Sequence, residues 1–251
     1  MSHEFWIAPV NYVIDTDAPV KAQLRIGENF EGSVQRFFDK NISRFEVHHS
    51  GKVSKVTGRL GDDPALNLEP LGDGLLVVVH ETTDSVLTYR KAELFPEFVI
   101  HKGVPELLDN HISRGFPEVG FQEKYRRYVK SLIGAGSAQG RDLRVGMRTE
   151  IVALANPYTD DLNAGLPVQV FYEGQPRKNA FIEVFERQID DEVTVSTYRT
   201  DDSGIAKINA NSGVEYLVDA TLILPMPNQD FESGPVWESL WASLTFKVPV
   251  R

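Results

Sequence analysis

The stretch GLLVVVHETTDSVLTY, residues 74–89, decides the fold class of this protein. It contains an apolar run that ends at His80, then a polar break, then a second short run that alternates apolar and polar residues. Apolar runs of this length are typical of strands buried on both faces, and alternation is typical of strands buried on one face. The stretch therefore predicts a buried strand, a turn and a second strand, with His80 fixed at the end of the first.

The strand pattern continues on both sides of this stretch. Towards the N-terminus, VKAQLRI at 20–26 places its four apolar residues on one face of a strand. Towards the C-terminus, alternation returns after the polar run GAGSAQGRD at 134–142, as in GLPVQVFYEGQPRKNAFIEVFE at 165–186 and WESLWASLTFKV at 237–248. About seven short strands within about 110 residues predict an immunoglobulin-like β-sandwich.

A helical period occurs between the two strand-rich regions. In VPELLDNHISRG at 104–115 and in FQEKYRRYVKSLIGAG at 121–136, apolar residues recur at intervals of three and four, which predicts two helices. We therefore expect a mainly β protein with two sandwiches. Residues 1–140 form an N-terminal β-sandwich with a helical segment at about 91–136, and residues 141–251 form an immunoglobulin-like β-sandwich.

Composition limits the classes of partner. The chain has 251 residues, a formal net charge of −10 and no cysteine. The acidic balance argues against nucleic acid, and the lack of cysteine excludes disulfides and metal–thiolate sites. The longest apolar run is far shorter than the roughly 20 residues of a membrane helix, so we do not expect a membrane-spanning protein. The start, MSHEFWIAPV, lacks the features of a signal peptide.

Common catalytic motifs do not occur in the sequence. The glycines of GAGSAQG, residues 134–140, have the wrong spacing for a phosphate-binding loop, and no G-x-S-x-G or H-E-x-x-H motif is present. We therefore expect a protein that is not an enzyme. A hydrolase that uses His80, His101 and nearby acids in a cleft is kept as one alternative.

Six histidines are the remaining candidates for chemistry. His111 lies on the apolar stripe of its helix, which favours a core position. His48 and His49 stand beside Ser50-Gly51, which predicts a hairpin tip where neighbouring side chains face opposite ways and do not chelate one ion. His101 precedes a break and is a candidate for lining a cleft between the strands and the helices.

His80 and His3 are the preferred candidates for metal ligands. A rigid strand end presents an imidazole well, and Glu81 and Asp84 are near enough in sequence to orient the His80 ring. His3 stands just ahead of an aromatic anchor, Phe5-Trp6, which argues for an ordered terminus. The alternatives are a strand-end hydrogen bond for His80 and a disordered terminus for His3.

The chemistry of His3 depends on which residue is first. A chain that starts at Met1 offers its amine, two amide nitrogens and His3 as a square-planar set for Cu(II) or Ni(II). A chain that starts at Ser2 has one nitrogen fewer. A chain that starts at His3 chelates an ion with its amine and ring, and a second histidine, for which we choose His80, completes the site. In each case protonation competes with the ion, so affinity should fall below about pH 6.5.

Seven short segments spread over nearly the whole chain form a specific combination. They are HEFWIAP at 3–9, GENFEG at 27–32, VVVHETTDSVLTY at 77–89, EKYRRYVKSLI at 123–133, TEIVALANPYTDDL at 149–162, YRTDDSGIA at 198–206 and GPVWESLWASLTF at 234–246. Together they resemble a bacterial periplasmic family of unknown function, which is similar to periplasmic components associated with cobalt and nickel uptake. The resemblance implies export to the periplasm, with a signal peptide removed just before His3, and it implies metal handling.

Three functions follow from the sequence. The preferred one is a periplasmic protein that binds a single divalent transition ion (Ni, Co or Cu) through His3, His80 and His101 for delivery or uptake, with an inner-membrane transporter component as a further partner. The first alternative is an exported β-sandwich interaction or adhesion module without metal, marked by an exposed patch at Trp237 and Trp241, unless these side chains pack under the helical insert. The hydrolase is the second alternative.

Overall fold

The computed structural model of the protein describes residues 4–250. Its N-terminal half holds ten strands, two helices and a short 3-10 turn at Asp39–Asn41. The strands are β1 (Glu4–Pro9), β2 (Val13–Ile14), β3 (Val20–Glu28), β4 (Glu31–Gln35), β5 (Ile42–His49), β6 (Lys52–Lys55), β7 (Leu66–Leu68), β8 (Gly74–Thr82), β9 (Ser85–Thr88) and β10 (Gln122–Ala135). Helices α1 (Leu94–His101) and α2 (Leu107–Ser113) lie between β9 and β10. No helix in residues 4–250 is long and apolar enough to cross a membrane.

The C-terminal half of the described chain contains eight further strands and no helix. They are β11 (Thr149–Ala153), β12 (Leu166–Tyr172), β13 (Gln175–Pro176), β14 (Phe181–Arg187), β15 (Val193–Arg199), β16 (Ile205–Ile208), β17 (Glu215–Pro225) and β18 (Trp237–Lys247). The protein is therefore mainly β, as the sequence predicts.

One large sheet runs through both halves of the molecule. Its main path has the order β15-β14-β17-β18-β10-β8-β5-β6, and β10 pairs with β18 in parallel. Two smaller sheets pack on it: β1, β3, β4 and β7 form the first, and β11, β12, β13 and β16 form the second. The first smaller sheet shares a core with β5, β8 and β10, and the second shares a core with β14, β17 and β18.

These pairs of layers are the two predicted sandwiches. The C-terminal one consists of two facing antiparallel sheets, which is the arrangement of an immunoglobulin-like sandwich. The shared large sheet crosses the proposed domain boundary at residue 140, because β10 pairs with β18. The division into 1–140 and 141–251 stays a prediction.

Most of the predicted local structure is confirmed. The opening stretch forms β8 and β9 on either side of a break, and α2 lies in the first predicted helix. His48 and His49 lie at the end of β5, where the chain turns into β6. His111 is buried in α2, as its position on the apolar stripe indicates.

The second predicted helix is wrong, because residues 122–135 form the strand β10. This strand is central in the large sheet, with β18 on one side and β8 and β9 on the other. Residues 128–135 are buried on both faces, so alternation is lost and the apolar spacing coincides with that of a helix. Pairing on both edges therefore decides the conformation, and local spacing does not.

A buried lysine ties β10 to the second half of the chain. The Lys130 side chain has no exposed surface, and its ammonium lies 2.7 Å from Asp142 and 3.4 Å from Glu150. Asp142 also accepts hydrogen bonds from the backbone amides of Leu143 and Ala153, and Glu150 accepts one from Val145. Asp142 thus has donors on both oxygens, and Glu150 has two donors on Oε1.

Replacement of Lys130 tests how much this cluster stabilises the fold. We expect Lys130→Met to lower the free energy of unfolding by about 3–5 kcal/mol, because it leaves two buried carboxylates without their cation. Urea denaturation measures the change. The control is Lys178→Met, which removes an exposed ion pair with Asp202 and should change stability by less than about 1 kcal/mol. Equal effects of the two changes would contradict this account.

Candidate metal site

Three side chains from distant parts of the chain converge at one end of helix α1. Glu4 begins β1, His101 ends α1, and Glu183 lies in β14. Their ligand atoms all lie within 4.8 Å of one another. The imidazole of His101 is 2.9 Å from Glu183 Oε1. Among the described residues, this is the one group of three or more histidine and acidic side chains close enough to hold a metal ion.

The end of α1 is fixed against the sheet by Gly103. This residue has φ of +69°, and a Cβ atom there would lie 2.8 Å from the Phe181 ring. A side chain would therefore be strained and would push the helix end away from β14. The Gly103 carbonyl also accepts a hydrogen bond of 2.8 Å from Arg199. This close approach brings His101 to Glu183.

A buried lysine lies behind the three ligands. The Lys102 ammonium is 2.5 Å from Glu183 Oε2, 3.2 Å from Asp219 and 3.5 Å from Glu4. It also lies 4.8 Å from the centroid of the Trp241 ring. Lys102 therefore holds the second oxygen of Glu183 and leaves the first one facing His101.

The electrostatics of the site follow from burial and these contacts. Burial raises the pKa of Glu4 to about 7, although the Lys102 charge opposes the rise. Burial also raises the pKa of Asp219. Burial acts the same way on Glu183, but the hydrogen bond from His101 and the charge of Lys102 outweigh it and hold its pKa below the usual value. The same hydrogen bond raises the pKa of His101.

The cluster opens into a cavity of about 410 Å³ between α1, β1 and β14. Glu97, Phe98 and Phe185 are among the other residues that line it. The two carboxylates are buried, but 55% of the His101 side chain is exposed. A small cation can therefore reach the ligands from solvent, and His101 lines a cleft between strands and helix, as predicted.

His80 lies elsewhere, inside the N-terminal sandwich. Its ring is 2% exposed, with ring centroids 5.4 Å from Phe5 and 4.9 Å from Phe45. Neither ring nitrogen has a hydrogen-bond partner, and burial lowers the pKa of His80 to about 3. The structure does not bring His80 into the cluster that contains His101. Its role as a metal ligand stays a prediction.

The predicted orientation of the His80 ring by its acidic neighbours is wrong. Glu81 pairs with Arg44 at 3.3 Å and with Arg126 at 3.0 Å, and Asp84 lies near Lys124 and Arg126. Consecutive strand residues face opposite ways, so Glu81 cannot orient the ring of its neighbour. His3 lies outside the described residues, and its role also stays a prediction.

Sequence reasoning missed the two carboxylates of the cluster. Glu4 directly follows His3 in the HEFW segment, and Glu183 lies in the FIEVFE segment. An acid inside an apolar strand segment is a signal of a buried charge with a partner, and this signal was available. The order of the strands in the sheets determines which acid lies next to which histidine. No local sequence pattern predicts that contact.

The two tryptophans of β18 are buried and pack under the helices, which was one of the two predicted possibilities. Trp237 is fully buried and Trp241 is 6% exposed, in a cluster with Phe95, Phe98 and Phe121. The Trp237 indole donates a hydrogen bond of 3.0 Å to His111 Nδ1. The predicted exposed aromatic patch at Trp237 and Trp241, which would have indicated an interaction surface, is therefore wrong.

The fold and the site define a β protein of two sandwiches on one shared sheet, with a carboxylate–imidazole cluster at the end of α1. The family model described as "Domain of unknown function (DUF4198)" matches residues 1–223, and the chain belongs to this family. The description names no metal or transporter, so the likeness to cobalt and nickel uptake components stays a prediction. A comparison with curated proteins gives no match.

Similarities to solved structures include two with low scores. A tetra-tandem repeat in the extending region of a large adhesion protein is 9% identical with a TM-score of 0.23; the match covers 98% of this chain and 50% of that one. The D0-D1 domain of intimin is 11% identical with a TM-score of 0.22; the match covers 98% of this chain and 100% of that one. This chain thus spans half the length of the adhesion-protein chain.

Two histidine substitutions should have opposite effects on stability. His80→Phe removes two buried nitrogens that have no partner, and we expect it to raise the free energy of unfolding by about 1 kcal/mol. His111→Phe should lower the free energy of unfolding by about 1–3 kcal/mol, because both His111 nitrogens have partners and the Trp237 indole would lose its acceptor. Thermal unfolding of both variants checks this; a loss of stability in His80→Phe would contradict it.

His80 should also make the protein sensitive to acid. The pKa of His80 is about 3 in the folded protein, whereas its ordinary value is 6.5. Between pH 6.5 and pH 3, the unfolded chain therefore binds a proton at His80 that the folded protein does not bind. Stability is therefore lost as pH falls from 6.5 towards 3, by up to about 1.4 kcal/mol per pH unit from this group. Urea titrations across this range should show a shallower loss in His80→Phe. Identical pH profiles would contradict the account.

Proposed function

We propose that this protein binds one divalent transition-metal ion through Glu4, His101 and Glu183. The observation that carries the proposal is the convergence of three ligand atoms within 4.8 Å at the wall of an open cavity. Together they offer one imidazole nitrogen and carboxylate oxygens, a mixed set that suits Ni, Co, Cu or Zn. The cluster opens into the cavity, so water or a fourth ligand would be able to complete the coordination of a bound ion.

The balance of charge supports a cation. Glu4, Glu183 and Asp219 surround Lys102, so three acidic groups face one buried ammonium. When all three are ionised and His101 is neutral, these side chains carry two excess negative charges; Arg127 and Arg177 also interact with Asp219 and offset part of this charge, and a divalent ion would neutralise the rest. The Lys130 cluster also combines a buried lysine with acids, but it has two acids instead of three, and backbone amides donate to both of them.

Glu4 is the group in this cluster with the weakest contact to Lys102. Its separation from the ammonium is 3.5 Å, against 2.5 Å for Glu183 and 3.2 Å for Asp219. Asp219 also accepts a hydrogen bond from the Thr221 hydroxyl. The pKa of Glu4 is raised because its negative charge is buried and poorly compensated. A bound cation would provide the missing compensation.

His3 precedes Glu4 in the chain and is the proposed fourth ligand. In a chain that starts at His3, the terminal amine adds a further nitrogen. We place this activity in the periplasm, as delivery or uptake of Ni, Co or Cu, with an inner-membrane transporter component as partner. Single-ion binding fits a chain with three methionines and six histidines better than storage of many ions does.

Calorimetric titration with Co(II), Ni(II) and Cu(II) tests the site. We expect one ion to bind per chain. Binding should be at least about tenfold weaker in His101→Ala, because this variant lacks one metal ligand. His101 is largely exposed, so its replacement should not disturb folding. Glu97→Gln is the matched control, because Glu97 lines the same cavity but lies outside the cluster. Starting the chain at His3 should tighten binding further if His3 is a ligand.

The His80→Phe variant separates the two predicted ligand sets. Metal binding that is unchanged in His80→Phe and lost in His101→Ala assigns the ion to the α1 cluster. The reverse result restores the His3–His80 pairing predicted from sequence. Absence of binding in the chain that starts at His3 would overturn metal binding and favour the alternative, an exported interaction module without metal.

The pH dependence should begin higher than histidine ligation alone predicts. Glu4 takes up a proton with a pKa of about 7, and the hydrogen bond to Glu183 raises the pKa of His101 above its usual value, so both ligands hold their protons more tightly than free side chains do. Both protons must leave when the ion binds, so affinity should fall as pH drops through about 7. Titrations on either side of neutral pH measure this; constant affinity would contradict ligation by these groups.

A further inference from the structure

A second cavity lies at the open end of the N-terminal sandwich, around His80. It has a volume of about 220 Å³, which is room for about seven waters or a ligand with a similar number of non-hydrogen atoms. His80 and Phe5 line it, together with Arg36, Tyr125 and Arg127. Because neighbours on a strand face opposite ways, Phe5 lies here while Glu4 lies in the α1 cluster. The two cavities are thus separate sites on either side of β1.

The charge in this cavity is positive. Arg36 and Arg127 line it, and no aspartate or glutamate is among its lining residues in the described chain. This is unusual in a protein whose formal net charge is −10. A metal cation would meet two guanidinium groups here, whereas an anion would be attracted by both. The charge of the ligand is therefore opposite to that at the α1 cluster.

The imidazole of His80 supplies an unused donor and acceptor. Its ring is 2% exposed, and neither nitrogen has a partner. Buried polar groups in proteins are nearly always hydrogen-bonded, because leaving one unpaired costs about 1–3 kcal/mol. A ligand oxygen in the cavity would accept from the N–H of this ring. The His80 imidazole is thus a polar group at the edge of the apolar core that is available to hydrogen-bond a ligand.

The walls of the cavity are partly apolar. Leu24, Ile26, Phe38 and Ile42 line it beside the polar groups. Small-molecule sites typically combine apolar walls with a few polar groups that fix orientation. An inorganic ion would leave these walls uncovered, whereas an organic molecule with an apolar body would cover them.

We propose that this cavity binds a small organic carboxylate, with its carboxylate between His80, Arg36 and Arg127 and its apolar body against Phe5 and Phe38. The site is independent of the metal site. Ligand binding gives the N–H of His80 the acceptor that the protein itself does not supply, and it explains why a polar ring is kept in an apolar core.

Benzoate is the probe for this proposal, and benzamide, which has the same shape without the charge, is the control ligand. We expect calorimetry to detect benzoate binding that is weaker by about tenfold or more in Arg36→Gln and in His80→Phe. Arg36 is exposed, so its replacement should not affect folding. His111→Phe is the matched variant, since it makes the same change at a histidine outside the cavity and should leave benzoate affinity unchanged.

Histidine ¹⁵N NMR gives a readout that a purely structural role would not change. Benzoate should shift the ring nitrogens of His80 and not those of His49, which lies on the β5–β6 hairpin. The proposal is overturned if benzoate does not bind at about 10 mM. It is also overturned if benzamide or inorganic phosphate binds as well as benzoate, or if affinity is the same in Arg36→Gln and His80→Phe as in the unchanged protein.

Discussion

The parallel pairing of β10 with β18 is the constraint on which the rest of the structure depends. It joins the two sandwiches into one sheet and buries both faces of β18. Hydroxyl groups of the pair then fix β1: Ser243 donates to the Phe5 carbonyl at 2.8 Å, and Thr245 donates to the Ile7 carbonyl at 2.7 Å. Side-chain hydroxyls thus hold a strand of another sheet against the central one.

This attachment of β1 sets the positions of both candidate sites. With the backbone held at Phe5 and Ile7, alternation turns Glu4 towards β14 and Phe5 towards β8. Trp6 packs with Phe30 and Leu217 and prevents the strand from sliding by one residue. A one-residue shift would exchange the two faces and remove Glu4 from the cluster. The geometry of the sites therefore depends on the register of β1.

Local pattern predicts part of the fold and of the candidate site. Period-2 alternation predicts the strands, and β8 with His80 at its buried end is correct, but β10 is buried on both faces and its apolar spacing imitates a helix. His101 is predicted as a cleft residue because it precedes a break between the strands and the helices. Its partners Glu4 and Glu183 lie far from it in the sequence, and only the strand order brings the three together. No periodicity encodes such a contact.

The two lysine clusters and His80 show how a buried polar group can indicate function. Lys130 and its two acids are compensated by backbone amides, so their charge is explained by the fold alone. Glu4 meets the Lys102 ammonium at 3.5 Å and its pKa is still raised by burial, and His80 has no hydrogen-bond partner on either nitrogen, so both are costly to stability as they stand. Groups of this kind are expected where a ligand supplies the missing interaction, and the two that we find face two different cavities.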